Sequence, residues 1–166
     1  GYSHVEDGGT ISTNFNWFKV PAITQEVYFG IATEGAGTSS AHAGFAVGDQ
    51  TGFVVPSTAT TYATAGLLAL DGSAAITTLQ GDLTLAAGYG SLTGTLSGSG
   101  YTLGISAASS STGTFSGSSS LSGNGASGTG NSSGHFYSSG ATSAIAGVAN
   151  GTSGTSYVAG FGGVAK

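Results

Sequence analysis

The sequence predicts an all-β protein, with a β-rich N-terminal domain over residues 1–58 and an eight-stranded antiparallel up-and-down β-barrel over residues 59–166. Three observations lead there. Apolar residues alternate with Gly, Ser and Thr in short runs, turn residues recur between the runs, and no capped stretch of 3.6-residue period interrupts them.

The barrel reading rests on residues from Tyr62 onward. Alternation is visible in Leu83/Leu85, Leu92/Leu96, Tyr101/Leu103/Ile105 and Tyr157/Ala159/Phe161. Turn signals stand between the runs at Asp71-Gly72, Gly88-Tyr89-Gly90, Ser99-Gly100, Asn124-Gly125 and Asn150-Gly151. Counting gives eight runs: 62–70, 76–86, 91–98, 101–107, 112–121, 132–138, 143–149 and 156–164. Eight strands at hairpin spacing can close on themselves, which removes the edges that an uncharged sheet cannot otherwise protect. Residues 106–135, of which 19 are Gly or Ser, read as strand carrying a long flexible loop, because Phe115 and Leu121 keep even spacing within them.

The N-terminal part also reads as β. Phe15–Val20 and Glu26–Ile31 form two strands joined across residues 21–25, with Pro21 ending the first because it cannot donate to a ladder. A flexible Gly35–Ser40 loop leads to a short strand around Gly44–Val47, which places His42 at a loop-to-strand junction. The chain then turns at Gly48-Asp49 and runs through Gly52-Phe53-Val54-Val55 to Pro56, near the boundary at Pro56–Thr61.

Composition narrows the function. The 166 residues include 32 glycines and only 5% charged residues, against roughly 25% in an average domain. All seven acids and Lys19 lie in residues 1–82, and Leu83–Ala165 carries no charged side chain. A net charge of −5 with two lysines and no arginine argues against nucleic acid or an anionic membrane as partner. No apolar run reaches the roughly 20 residues of a spanning helix. The absence of cysteine excludes disulfides, a thiolate nucleophile and Cys-ligated metal. Low charge, abundant Gly, Ser and Thr, and a start at Gly1 without a leader-like stretch point to an exported bacterial protein, secreted or at the cell surface.

The motif search favours binding over catalysis. Gly123–Gly128 spells G-x-G-x-x-G but lacks the following helix and the later acid of a dinucleotide site. Ser132 sits in a G-x-S-x-G string, again without the helix that a nucleophile elbow requires. Non-enzymatic function is therefore expected. The histidines are the candidate metal ligands, with His42 first and His4 second. Both belong to the part rich in aromatics, and a haem site needs an imidazole beside an apolar wall. Trp17, Phe18, Tyr28, Phe29 and Phe45 are the candidate wall, and haem held noncovalently is the candidate cofactor. His135 shares a strand face with Tyr137 and points either into the barrel or to solvent.

Residues 62–166 resemble the C-terminal barrel of the transferrin-binding-protein-like family of Gram-negative surface proteins. The resemblance is carried by Gly134-His135-Phe136-Tyr137-Ser138-Ser139-Gly140-Ala141, similar to that family's G-x-F-Y-G-P-x-A strand and turn, by Ala146-Gly147-Val148 and by the closing Tyr157–Lys166 segment. Ser138-Ser139 replaces the usual Gly-Pro. Within the family the chain looks most like the hemophilins. That likeness implies a β "handle" before the barrel, export by a Slam-type translocon, and haem delivered to an outer-membrane receptor. The competing expectation is a cofactor-free surface or secreted barrel that binds a host or partner protein.

Overall fold

The computed structural model describes residues 2–5, 12–35 and 41–166, with side chains described over 14–35 and 41–166. Four strands, β1 (Tyr2–Val5), β2 (Ser12–Lys19), β3 (Val27–Glu34) and β4 (Ala41–Gly48), form one antiparallel sheet in chain order. Eight more, β5 (Thr60–Leu70), β6 (Ile76–Leu85), β7 (Ser91–Gly98), β8 (Tyr101–Ser110), β9 (Thr114–Gly123), β10 (Ala126–Ser139), β11 (Thr142–Gly154) and β12 (Tyr157–Ala165), close into a barrel. Each barrel strand pairs antiparallel with its sequence neighbours, and β12 returns to β5, so the fold class is the one the sequence predicts. No helix among the described residues is long and apolar enough to cross a membrane.

Period-2 alternation builds the barrel core directly. Leu83, Leu85, Leu92, Leu96, Leu103 and Leu121 point inward and are fully or almost fully buried, beside the rings of Tyr62, Phe115, Phe136, Tyr157 and Phe161. The opposite positions of β9 are Ser116, Ser118, Ser120 and Ser122, all exposed. Leucine inside and hydroxyl outside is the reverse of a barrel that faces lipid. Glycine makes room for the large rings. Gly134 and Gly147 are paired across β10 and β11, and a Cβ on either would lie 2.4 or 2.7 Å from Phe115 Cζ. Two buried phenols find partners: Tyr62 Oη lies 2.7 Å from Ser143 Oγ, and Tyr157 Oη 2.7 Å from Ser119 Oγ.

The serine-rich stretch differs from the sequence expectation. Residues 106–135 hold no long loop: β9 and β10 meet through the two-residue turn Asn124-Gly125, both with positive φ. That is the backbone a tight hairpin demands, and Asn124 Nδ2 also donates to the Ser99 carbonyl at 2.8 Å. Serine-rich sequence is flexible only when nothing pairs with it, and here both edges of each strand are met. Residues 53–59, which lead from the handle to β5, belong to no strand. They cross one end of the barrel, where Gln50 Nε2 donates to the carbonyls of Gly113 and Phe136, both at 3.0 Å, and Phe53 packs on the core.

The handle sheet lies against the outer wall of β5, β11 and β12. There the hydroxyl rule lapses. Ala65, Leu67, Ala69, Ala144, Ala146, Val158 and Val164 face Val20, Ile23, Val27, Phe29 and Ile31, with Tyr137 of β10 between them. The backbones approach closely because β12 carries glycine at the contact. A Cβ on Gly160 would sit 2.4 Å from the Gly30 carbonyl oxygen.

Candidate functional site

Strand alternation divides the aromatic residues of the handle. Register pairs Phe18 with Phe29, and Phe29 with Ala46, so these side chains face the barrel. Trp17 pairs with Gly30 and Gly30 with Phe45, so these face outward, together with Tyr28 and, one rung further, Phe15. The outward row is held edge to face: the Trp17 and Tyr28 rings are 5.5 Å apart at 77°, and the Phe15 and Phe45 rings 6.0 Å apart at 74°. Trp17 remains 41% exposed, and Val47, on the same face, 56%. At the end of the row the Tyr28 hydroxyl donates to Glu26, which also takes Lys19 Nζ at 3.2 Å. These bonds hold the Glu26 carboxyl below its ordinary pKa and the Tyr28 phenol above its own.

The five aromatics read from the sequence as one wall are thus two groups. Trp17, Tyr28 and Phe45 form an open face, whereas Phe29 is buried against the barrel and Phe18 overhangs it. The period-2 rule already contained this division, since Trp17 and Phe18 are adjacent. It also places Phe15 and the aliphatic Val47 in the open face.

His42 lies within β4, on the barrel-facing side, directly opposite Thr33. Both ring nitrogens are engaged. Nε2 bonds the Ser73 carbonyl in the β5–β6 turn, and Nδ1 lies 2.8 Å from Thr33 Oγ1. A carbonyl only accepts, so Nε2 donates to Ser73, and Nδ1 shares a hydrogen bond with the threonine hydroxyl. His42 therefore straps the handle to the barrel. The register sets His4 opposite Thr13, one rung from His42 and on the other edge strand of the sheet. Three strand spacings of about 4.8 Å separate those two edges. The His4 side chain lies outside the described residues. His135 is exposed on the outer wall, 6.5 Å from the Tyr137 ring. Among the described residues no group of three or more His, Asp or Glu side chains could hold a metal ion.

No family model matches this chain, and no curated protein matches it. Among solved structures it is similar to isotype 1 transferrin binding protein B (TbpB) from serogroup B Neisseria meningitidis, with a TM-score of 0.50 over 90% of this chain at 12% identity. The chain has a TbpB-like barrel fold. The match spans 35% of the length of that TbpB, and at this identity what is shared is the fold.

Proposed function

We propose that this chain is an exported, non-enzymatic bacterial binding protein whose barrel is a scaffold and whose handle sheet contacts a partner protein. The observation that carries this is the outward row Phe15, Trp17, Tyr28 and Phe45: an aromatic sheet face beside exposed Val47, rimmed by Lys19 and Glu26. Small molecules are held in concave pockets, whereas a broad aromatic face with a polar rim suits a protein surface, where Trp and Tyr carry much of the energy. The barrel interior offers no comparable surface, because leucines and rings occupy it. A fold like that of a protein named for binding transferrin supports a binding role at the cell surface or in secretion.

Histidine-ligated haem, which the hemophilin likeness implies, fits the described residues less well. Neither nitrogen of His42 is free for iron, and Phe18 and Phe29 lie on the opposite side of the sheet from Trp17, Tyr28 and Phe45.

Site-specific photocrosslinking tests the partner reading. A benzophenone side chain at position 28 is expected to trap one discrete protein at the surface of the producing cell, and the same group at position 118 on the outer barrel wall none. Equal trapping at both positions would overturn it. So would a saturable Soret shift at one equivalent of haemin that disappears in His42→Ala or His4→Ala, which would make the chain a haem carrier.

A further inference from the structure

β4 is the last strand of the handle sheet, on the opposite side from β1, and its far edge meets no strand among the described residues. Hydrogen-bond parity identifies the backbone groups that face this edge. In an antiparallel ladder, opposed residues alternate between pairs that exchange both bonds and pairs that exchange none. Asp49 N–H donates to the Glu26 carbonyl at 3.4 Å, so the bonded rungs of the β3–β4 ladder are Tyr28↔Val47, Gly30↔Phe45 and Ala32↔Ala43. On the other side of β3, Val20 N–H donates to the Val27 carbonyl at 2.9 Å, which fixes the same alternation. The intervening residues His42, Gly44 and Ala46 therefore turn N–H and C=O away from β3, toward the edge.

The strand itself does not guard that edge. Sheet edges are ordinarily shielded by charge, proline or a bulge. Ala41–Gly48 contains no Asp, Glu, Lys, Arg or Pro, and its register with β3 is unbroken. Small side chains leave the backbone within reach, and Ala41, Ala43, Val47 and Gly48 are exposed. A Cβ on Gly44 would lie 2.5 Å from the Ala159 carbonyl oxygen, so β4 rests directly on β12. Beside Ala46, a groove of about 330 Å³ opens between the edge and the outer wall of β9–β11, lined by Val148, Ser116, Ser133 and His135.

We propose that the edge of β4 accepts an extended segment of the partner protein as an added strand, bonded to His42, Gly44 and Ala46. Alternate side chains of that segment enter the groove beside Ala46, with an aliphatic one against Val148. The others extend the open face at Phe45 and Val47, which stand on β4 itself. Backbone groups at alternate positions of a bare edge suit another extended backbone, and continuity with the aromatic face makes the partner its source. A second copy of this chain is a poor occupant. Antiparallel pairing of two β4 edges has its two-fold axis perpendicular to the sheet, which brings both barrels to one side. There β9 and β10 already extend past the edge, and the barrels would collide. The inference rests on the handle as the contact surface and adds the mode of contact.

The probe is an acetylated, amidated peptide of sequence Glu-Val-Thr-Val-Thr-Val-Lys, titrated into the full chain and followed by amide exchange. Saturable binding should slow the amides of His42, Gly44 and Ala46 about tenfold or more. Ala43, Phe45 and Val47, already bonded to β3, should change little. N-methylation of one alternate set of peptide residues should weaken binding about tenfold or more, and of the other set leave it unchanged. Ala46→Pro removes an edge N–H without touching the β3 ladder, a place where proline is tolerated, and unchanged exchange in β2 and β3 verifies the fold. It should weaken the peptide, and trapping by a benzophenone at position 28 in the producing cell, about tenfold or more. No saturable binding, or binding without the alternating protection, overturns the added strand. Trapping that survives Ala46→Pro also overturns it, and the handle surface then stands while the mode fails. Absence of trapping in the parent chain overturns both. Protection of the same three amides that appears without peptide and grows with protein concentration overturns it too, because a second copy is then the occupant.

Discussion

In the barrel every strand has a neighbour on each side, and apart from Leu67 and Tyr137 under the handle the buried leucines and rings are turned inward. The handle is built from the same strand periodicity but keeps an exception. One face carries Trp17, Tyr28 and Phe45, which no other strand covers among the described residues. The comparison separates two uses of β structure. Closure and filling make a scaffold, and an open aromatic face makes a surface for something else.

Truncation in the barrel should have the largest effect. Phe136 is fully buried among the rings of Tyr62, Tyr89 and Phe115. Phe136→Ala is expected to cost about 3–5 kcal/mol in urea unfolding, lost in one transition that includes the handle. A loss confined to the handle would break the view of the barrel as scaffold. Gly160→Ala sharpens the comparison from the other side. Its methyl would meet the Gly30 carbonyl at 2.4 Å, where both atoms belong to backbone. Overpacking of about 1–3 kcal/mol should appear as faster amide exchange in β3 and β4, with the barrel amides unchanged.

The His42 strap is worth less. His42→Ala removes the bonds to Ser73 and Thr33 and should cost about 1–2 kcal/mol, read as faster exchange in β4 and in the β5–β6 turn. If exchange there does not change, the strap is not a structural element.

The two regions should also respond to opposite ends of the pH scale. Burial pushes the phenols of Tyr62, Tyr89, Tyr137 and Tyr157 upward. Above the unfolded value of about 10 the unfolded chain releases these protons first, so stability is complete below that pH and falls as pH rises through it. In the handle, hydrogen bonds to Tyr28 and Lys19 lower the Glu26 pKa. That contribution is present above the ordinary carboxylate range and is lost as pH falls through the depressed value. Glu26 is exposed, so the acid effect is the smaller and is screened by salt. Thermal melts across pH, repeated at high salt, check both signs.

Much of this was legible in particular residues. Leu83/Leu85, Leu92/Leu96 and Tyr157/Ala159/Phe161 mark inward positions by spacing alone, and all except Ala159 carry side chains large enough to fill a barrel. Tyr2–Val5 was not legible as a strand, because four residues without alternation carry no periodic signal. The serine-rich run at 106–135 misleads for a related reason: hydroxyl side chains on the outer wall leave only Phe115, Ser119 and Leu121 of β9 buried inside. His42 had the right chemistry for a ligand, but the partners that occupy its nitrogens lie 9 and 31 residues away along the chain.

Local alternation, turn residues and the scarcity of charge determined by themselves that this protein is all-β and that its second part closes. Those properties depend on residues near one another in sequence, through a backbone whose side chains alternate and a composition that cannot guard an open edge. Tertiary structure alone decided which aromatics share a face, that glycines in β12 admit the handle, and that His42 is tied to the barrel. Each of these depends on strand register and on how two sheets pack, which are relations between distant segments that no local pattern encodes.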